Sequence, residues 1–253
     1  MPALTVILSS FNRPAGLRRA ALSVLAQTHR DLGLVICDDA STDAAVDRVM
    51  DELTAADPRV HVLMGPAVSP EWKRDRCCTF AALINEALRG TDSPYLSYLT
   101  DDCEYEARRC AELLEVLEIT AGSTVGMVWG QQAHVDGAGQ VLRAFMVYSR
   151  TCRAEDHTAA SLIERLPRGN FIDHSSVIHR RVEGAWWDES PAAWADLDRR
   201  YWLTLAAHGL SAMFLPWVQG ERKCVVGDSI GAALGRGETI AEVAERRGTE
   251  ERG

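Results

Sequence analysis

The sequence predicts an α/β fold built on a largely parallel sheet. Three observations carry that prediction. Short apolar, β-branched runs alternate with stretches of helical period through the first half of the chain. The strand-like runs end in polar clusters. The length, 253 residues, suits one large domain with a substantial core. Alternation at this spacing argues for βαβ units, whose ligands bind beyond the carboxyl ends of the strands.

The elements follow in order. LTVIL at 4–8 reads as a buried strand, and the turn-rich SSFNRPAG follows it. Leu17, Ala20, Ala21, Val24 and Leu25 then fall on one helical face, with Asn12 and Pro14 suited to its start. LVIC at 34–37 is a second strand, ending in Asp38, Asp39, Ala40 and Ser41. Residues 43–53 read as a helix and VHVL at 60–63 as a third strand. Phe80, Leu83, Ile84, Ala87 and Leu88 return to helical spacing. YLSYL at 95–99 is a strand that delivers Asp101 and Asp102 at its end. Cys110, Leu113, Leu114 and Leu117 line the next helix. Three polar clusters, residues 9–12, Asp38-Asp39 and Asp101-Asp102, therefore converge on one edge of the sheet.

The pattern changes after about residue 122. Residues 125–129 form a strand, and HVDGAGQVLRAFMVY reads as a hairpin turning at 136–139. Trp186, Trp187, Trp194, Trp202 and Trp217 cluster later, most simply as core. The glycine-rich stretch 220–237 reads as a loop and candidate lid, and 238–247 as a terminal helix. The expected division is 1–103, 104–222, and a loop with helical tail at 223–253.

Bulk properties narrow the function. The net charge of −9 argues against a nucleic-acid partner held by a general basic field. Seven scattered cysteines, without a C-x-x-C pair, fit reduced thiols rather than a disulfide framework or a zinc site. MPALTVILSS lacks the features of a signal peptide, and no run approaches a membrane span, so a cytoplasmic location is the expectation.

Three constellations carry chemistry. Asp101-Asp102 suits a hard cation such as Mg²⁺ or Mn²⁺ that a phosphate-bearing ligand completes, against the plainer reading of a solvated strand end. WKRDR at 72–76 is a local basic patch whose Arg74 or Arg76 offers a planar fork to a base or phosphate, or else a solvated loop. WDESP at 187–191 with ADLDRR at 195–200 joins acids to aromatics. That suits a general base beside a sugar-binding surface, or simply the acidic start of a helix.

The stretches LTVILSSFNRPAGLRRAALSVLAQT, ICDDAST, FAALINEAL and YLTDDCEY together resemble the inverting family-2 glycosyltransferases of the GT-A fold. FIDHSSVIHRR and WWDESPAAWADLDRRYW are similar to the family-2 member associated with spore coat polysaccharide synthesis. The resemblance is collinear over about residues 3–217. It implies a Rossmann-like, mostly parallel central sheet flanked by helices, with a smaller mixed sheet on the acceptor side. It implies a nucleoside diphosphate sugar donor, with UDP or dTDP, and a hydroxyl-bearing saccharide or small-molecule acceptor. Ser9 and Phe11 would cradle the nucleotide, Asp39 and Arg74 would meet the base, and Asp101 would contact ribose or metal. Asp102 would hold Mn²⁺ or Mg²⁺. Asp198 would be the catalytic base, with Asp196 as rival. The family often shows D-x-D where this chain has Asp101-Asp102-Cys103, so the third position supplies no carboxylate. Two other readings remain. A sugar-phosphate nucleotidyltransferase would have a glycine-rich, basic loop after the first strand, and SSFNRPAG has one glycine and no lysine. A catalytically silent nucleotide-sugar binder would have no need of both Asp102 and Asp198.

Overall fold

The structure, a computed structural model, describes residues 2–68, 77–136, 140–145 and 156–224. Its strands are β1 (Leu4–Ser10), β2 (Leu32–Asp38), β3 (Val60–Met64), β4 (Tyr95–Thr100), β5 (Cys103–Tyr105), β6 (Val125–Val135), β7 (Val141–Phe145), β8 (Asp156–His157), β9 (Val177–Arg180) and β10 (Ser211–Cys224). Its helices are α1 (Pro14–Leu25), α2 (Ala44–Ala56), α3 (Thr79–Arg89), α4 (Arg109–Ile119), α5 (Ala159–Arg165) and α6 (Leu197–Ala207). No helix among the described residues is long and apolar enough to cross a membrane.

All ten strands form one sheet, ordered β3-β2-β1-β4-β9-β6-β10-β5, with β7 on β6 and β8 on β10. The first four are parallel, as the alternating sequence predicts. Antiparallel pairing of β9 with β4 and β6 carries the same sheet into its mixed half. Successive side chains point to opposite faces. Leu4, Val6 and Leu8 of β1 thus pack with α1, α2 and α4, while Ile7 packs with α3 and α6. Two apolar cores sandwich the sheet, and its central strands are buried on both faces.

Several boundaries differ from expectation for local physical reasons. Pro14 is the first residue of α1, where its missing N–H costs nothing. Asn12 does not cap that helix; it bridges two loops, as described below. Asp43 does cap α2, accepting from the Ala45 N–H at 2.8 Å. β5, β9 and β10 carry no strong alternation of their own and form because their backbones complete a sheet. β10 runs through Cys224, so residues 220–224 are strand rather than the start of a loop. The remainder of that stretch, the expected terminal helix, and the 72–76 cluster with Arg74 lie outside the described residues. β6 and β7 form the expected hairpin, closed by Asp136, whose N–H donates to the Gln140 carbonyl at 2.9 Å.

The tryptophans divide. Trp187 and Trp202 are buried in an aromatic cluster with Tyr98, Tyr201, His174 and His179, and Trp187 stacks on Tyr201 at 4.3 Å. Trp186, Trp194 and Trp217 are exposed. Asn85 pins the segment before α6, bonding both the N–H and the carbonyl of Trp187 at 2.9 Å.

Candidate active site

The carboxyl ends of β1, β2 and β4 lie in register, Ser9 beside Cys37 and Thr100, Ser10 beside Asp38. The loops that follow are fastened together. Asn12 adopts φ +53°, a left-handed conformation that asparagine tolerates. Its side-chain oxygen accepts from the N–H groups of Thr42 (2.8 Å) and Asp43 (3.2 Å), and its own N–H donates to Ser41 Oγ (2.8 Å). Ser41 in turn donates to both carboxylate oxygens of the buried Asp38. The N–H of Asp39 donates to the Ser10 carbonyl at 3.0 Å, which holds Asp39 beside the end of β1. Ser9 Oγ is buried without a hydrogen bond among the described residues, and Phe11 is 39% exposed beside it in sequence.

The paired aspartates have different environments. Asp101 is buried and turned toward the β1–α1 loop. Its Oδ2 accepts from Ser10 Oγ (3.0 Å) and the Phe11 N–H (3.2 Å), and Oδ1 faces Arg13 at 3.3 Å. Burial pushes its carboxyl up to about 6, with Arg13 opposing and Asp102 adding to the rise. Asp102 Oδ1 accepts from Thr100 Oγ1 at 2.6 Å, while Oδ2 makes no hydrogen bond among the described residues. Cys103, the soft atom where a carboxylate was a possibility, is buried on β5. Burial and the charge of Asp102 push its thiol far up, and Sγ donates to Asp102 Oδ1 at 3.4 Å. It is a protonated core residue and offers no thiolate to a metal. Among the described residues no group of three or more His, Cys, Asp or Glu is arranged to hold a metal ion. Asp102 therefore supplies one free carboxylate oxygen, a donor set that a phosphate-bearing ligand and water would have to complete.

Gly16 is what lets Asp101 sit so close to α1. A Cβ there would lie 2.4 Å from the Asp101 carbonyl oxygen, a backbone atom with nowhere to go. Gly16→Ala is expected to destabilise the protein by about 1–3 kcal/mol, read as a lowered urea midpoint at unchanged slope.

The mixed half supplies the opposite wall. The turn His174–Ser176 precedes β9 and meets the end of β4, with Ser175 Oγ 3.3 Å from Thr100 Oγ1. Arg109, fully buried, anchors this turn from below. Its Nη2 donates to the carbonyls of Ser175 (2.9 Å) and Val177 (3.1 Å) and to Ser97 Oγ (3.2 Å). Asp173 caps the turn through the Ser175 N–H at 3.0 Å and faces Lys223 Nζ at 3.6 Å. Burial pushes the Asp173 carboxyl up, but Lys223, the Ser175 N–H, Gln132 and Glu221 outweigh it and bring it down to about 2. Glu221 is the reverse case. Burial and the charge of Asp173 push it well up, while Gln132 donates to Oε1.

Asp196 and Asp198, two residues apart at the start of α6, also differ. Asp196 is clamped by Arg199 and by Arg200 Nε at 2.6 Å. Burial raises its carboxyl, but those two guanidinium groups prevail and hold it below the usual range. Asp198 has no cationic partner among the described residues. Its Oδ2 accepts from Asn170 Nδ2 and its Oδ1 from the Arg199 N–H, both at 2.8 Å. Burial first, then the charge of Asp173, pushes its carboxyl up to about 6. It is a carboxylate with the proton affinity a general base needs near neutrality.

The expected residues Ser9, Phe11, Asp39, Asp101 and Asp102 thus gather on the parallel edge, and Asp196 and Asp198 stand on α6. Asn170, Asp173, Arg109, Glu221 and Lys223 carried no assignment in the sequence, and Asn12 was read only as a helix start. FIDHSS signals Asp173 only as a turn former, and Lys223 lies in the stretch that reads as loop.

Comparison with known proteins follows from this geometry. Residues 5–182 match the profile described as glycosyl transferase family 2. Protein CgeD of Bacillus subtilis (strain 168) is 30% identical over 215 residues, covering 80% of this chain and 46% of CgeD. The chain thus spans about half the length of that relative. Mannosyltransferase PcManGT from Pyrobaculum calidifontis, solved with GDP-Man and Mn²⁺, superposes with a TM-score of 0.62 at 16% identity, over 93% of this chain and 60% of that one. TarS of S. aureus, solved with UDP-GlcNAc, gives a TM-score of 0.61 at 13% identity, over 89% of this chain and 59% of that one. At these identities the solved structures speak for the fold.

Proposed function

Because this chain belongs to glycosyl transferase family 2, we propose that it moves a sugar, with inversion, from a nucleoside diphosphate donor to an acceptor hydroxyl. The observation that carries the reading is the state of two carboxylates: Asp102, just past the end of β4, keeps a free carboxylate oxygen, and Asp198, on α6, is raised to about 6. The relatives' ligands, UDP-GlcNAc, GDP-Man and Mn²⁺, support a nucleotide-sugar donor and a divalent cation here.

The residues divide the work. Phe11, Asp39 and the bolted β1 and β2 loops offer a surface for the nucleoside, with Asp101 holding the loop from within. Arg74 belongs to this group by sequence alone. Asp102 is the residue that would hold Mn²⁺ or Mg²⁺, with diphosphate oxygens and water as the other ligands. A cation so held supplies positive charge against the leaving diphosphate. Asp198 accepts the proton of the acceptor hydroxyl as its oxygen attacks the anomeric carbon from the face opposite the leaving group. Asn170 and the Arg199 N–H orient it. The exposed Trp194, just before Asp196, offers an apolar surface for an acceptor. UDP or dTDP is the proposed donor nucleotide, and a saccharide or small-molecule hydroxyl the acceptor.

A thermal-shift panel of UDP, dTDP and GDP and their sugars, with Mn²⁺, Mg²⁺ or EDTA, tests this. A nucleotide at a hundred times its Kd is expected to add about 2.7 kcal/mol of apparent stability, with the metal increasing the shift. The absence of a shift with every nucleoside diphosphate would sink the donor reading.

A further inference from the structure

We infer that Lys223 binds the donor's diphosphate, giving the site a fixed positive charge beside Asp102 whether or not a divalent cation is held there. This rests on the glycosyltransferase reading above and deepens it.

The ladder places Lys223. In the antiparallel pairing of β10 with β5, Lys223 lies directly opposite Cys103, and the Cys224 N–H donates to the Asp102 carbonyl at 2.7 Å. Directly opposed residues share a face, their Cβ atoms about 4.5–5.5 Å apart. Cys103 Sγ is itself 3.4 Å from Asp102 Oδ1. The Lys223 side chain therefore rises on the same face as the Asp102 carboxylate, one side chain away.

Its donors are uncommitted. Asp173 Oδ2 stands 3.6 Å from Nζ, an ion pair too long for a hydrogen bond, and Nζ makes no hydrogen bond among the described residues. The side chain is 26% exposed, so the ammonium group is open on one side. The other cations nearby, among the described residues, are occupied. Arg109 is bonded to Ser97, Ser175 and Val177; Arg13 faces Asp101; Arg222 is paired with Glu106 at 2.5 Å.

The charge balance requires such a group. Asp102 offers a cation only one carboxylate, and Asp173, with Oδ2 3.6 Å from Lys223 Nζ, places another carboxylate here. A diphosphate entering this edge meets carboxylates unless a cation lies among them. An ammonium, compact and with three donors, binds phosphate as a point charge.

The test is calorimetric binding of UDP, dTDP and GDP, and of uridine, thymidine and guanosine. Wild type, Lys223→Met, Lys223→Gln and Lys223→Arg are compared in EDTA and in Mn²⁺, with circular dichroism to establish folding. Wild type is expected to bind its preferred nucleoside diphosphate in EDTA. Each neutral variant that folds should lose at least about tenfold of that affinity, and Lys223→Arg should stay within about threefold. Affinity for the matching nucleoside should not change. Equal diphosphate affinity in wild type and a folded neutral variant overturns the inference. So does an equal loss for nucleoside and diphosphate, or binding by wild type only with Mn²⁺. If no nucleoside diphosphate binds wild type even with Mn²⁺, the donor reading itself fails, which separates the two.

Discussion

Asp198→Asn is expected to lower kcat by about 10²–10⁴-fold while leaving nucleoside diphosphate affinity unchanged. The amide keeps the shape of the side chain, and its oxygen can still accept from Asn170 or the Arg199 N–H, but it cannot take a proton. Removing a carboxylate whose burial and neighbour Asp173 already disfavour its charge should not lower stability, so lost turnover cannot be blamed on misfolding. Asp196→Asn should behave otherwise. It breaks the clamp with Arg199 and Arg200 and reads out chiefly in stability and KM. A larger kcat loss for Asp196→Asn than for Asp198→Asn would exchange their roles. The pH profile provides an independent check. The carboxylate form is the active one, so kcat/KM should fall about tenfold per pH unit below the value near 6 where Asp198 titrates and level off above it. An acidic limb below the ordinary aspartate range would point to the depressed Asp196 instead.

Arg109→Ala should have the largest effect on stability, a loss of about 3–5 kcal/mol. Arg109 is buried entirely, donates to three oxygens of the mixed half, and lies 3.8 Å over the Tyr105 ring. Alanine leaves a cavity and strips the Ser175 carbonyl of this donor in a place water does not reach. Lysine should rescue it only in part, since an ammonium can donate to these oxygens but lacks the planar group that lies over the Tyr105 ring and reaches Cys110 Sγ through Nη1. Urea denaturation at unchanged slope measures the loss. An effect below about 1 kcal/mol would mean the turn before β9 is held by β9 pairing alone.

The parallel half was legible because its signals are local. Residues 4–8, 34–37, 60–63 and 95–99 are all strand; each is a short apolar run, buried on both faces in the three inner strands and partly exposed in β3 at the sheet edge. The mixed half was legible only in the strand at 125–129 and the hairpin that follows it. Val177–Arg180 and Ser211–Cys224 contain a histidine, arginines, a proline and a glutamate. Their conformation follows from neighbours remote in the chain, as in the Ser97 with Ile178 and Lys223 with Cys103 pairings. The 220–224 segment looked like a loop because glycine and charge outweigh any alternation there, and pairing with β5 and β6 overrides that composition.

The same division holds for the site. By itself the sequence determined the α/β order and the carboxyl edge where Ser9, Asp39, Asp101 and Asp102 stand, conclusions that need only strand direction and residue type. Asp198 and Asp196 as rival bases came from the family resemblance. Which aspartate of each pair has a free oxygen or a raised proton affinity depended on partners far away in the chain. Arg13 and Ser10 occupy Asp101, Thr100 leaves half of Asp102 open, two arginines clamp Asp196, and Asn170 and Asp173 surround Asp198. Desolvation and local charge set the chemistry of a carboxylate, and only the tertiary structure decides both.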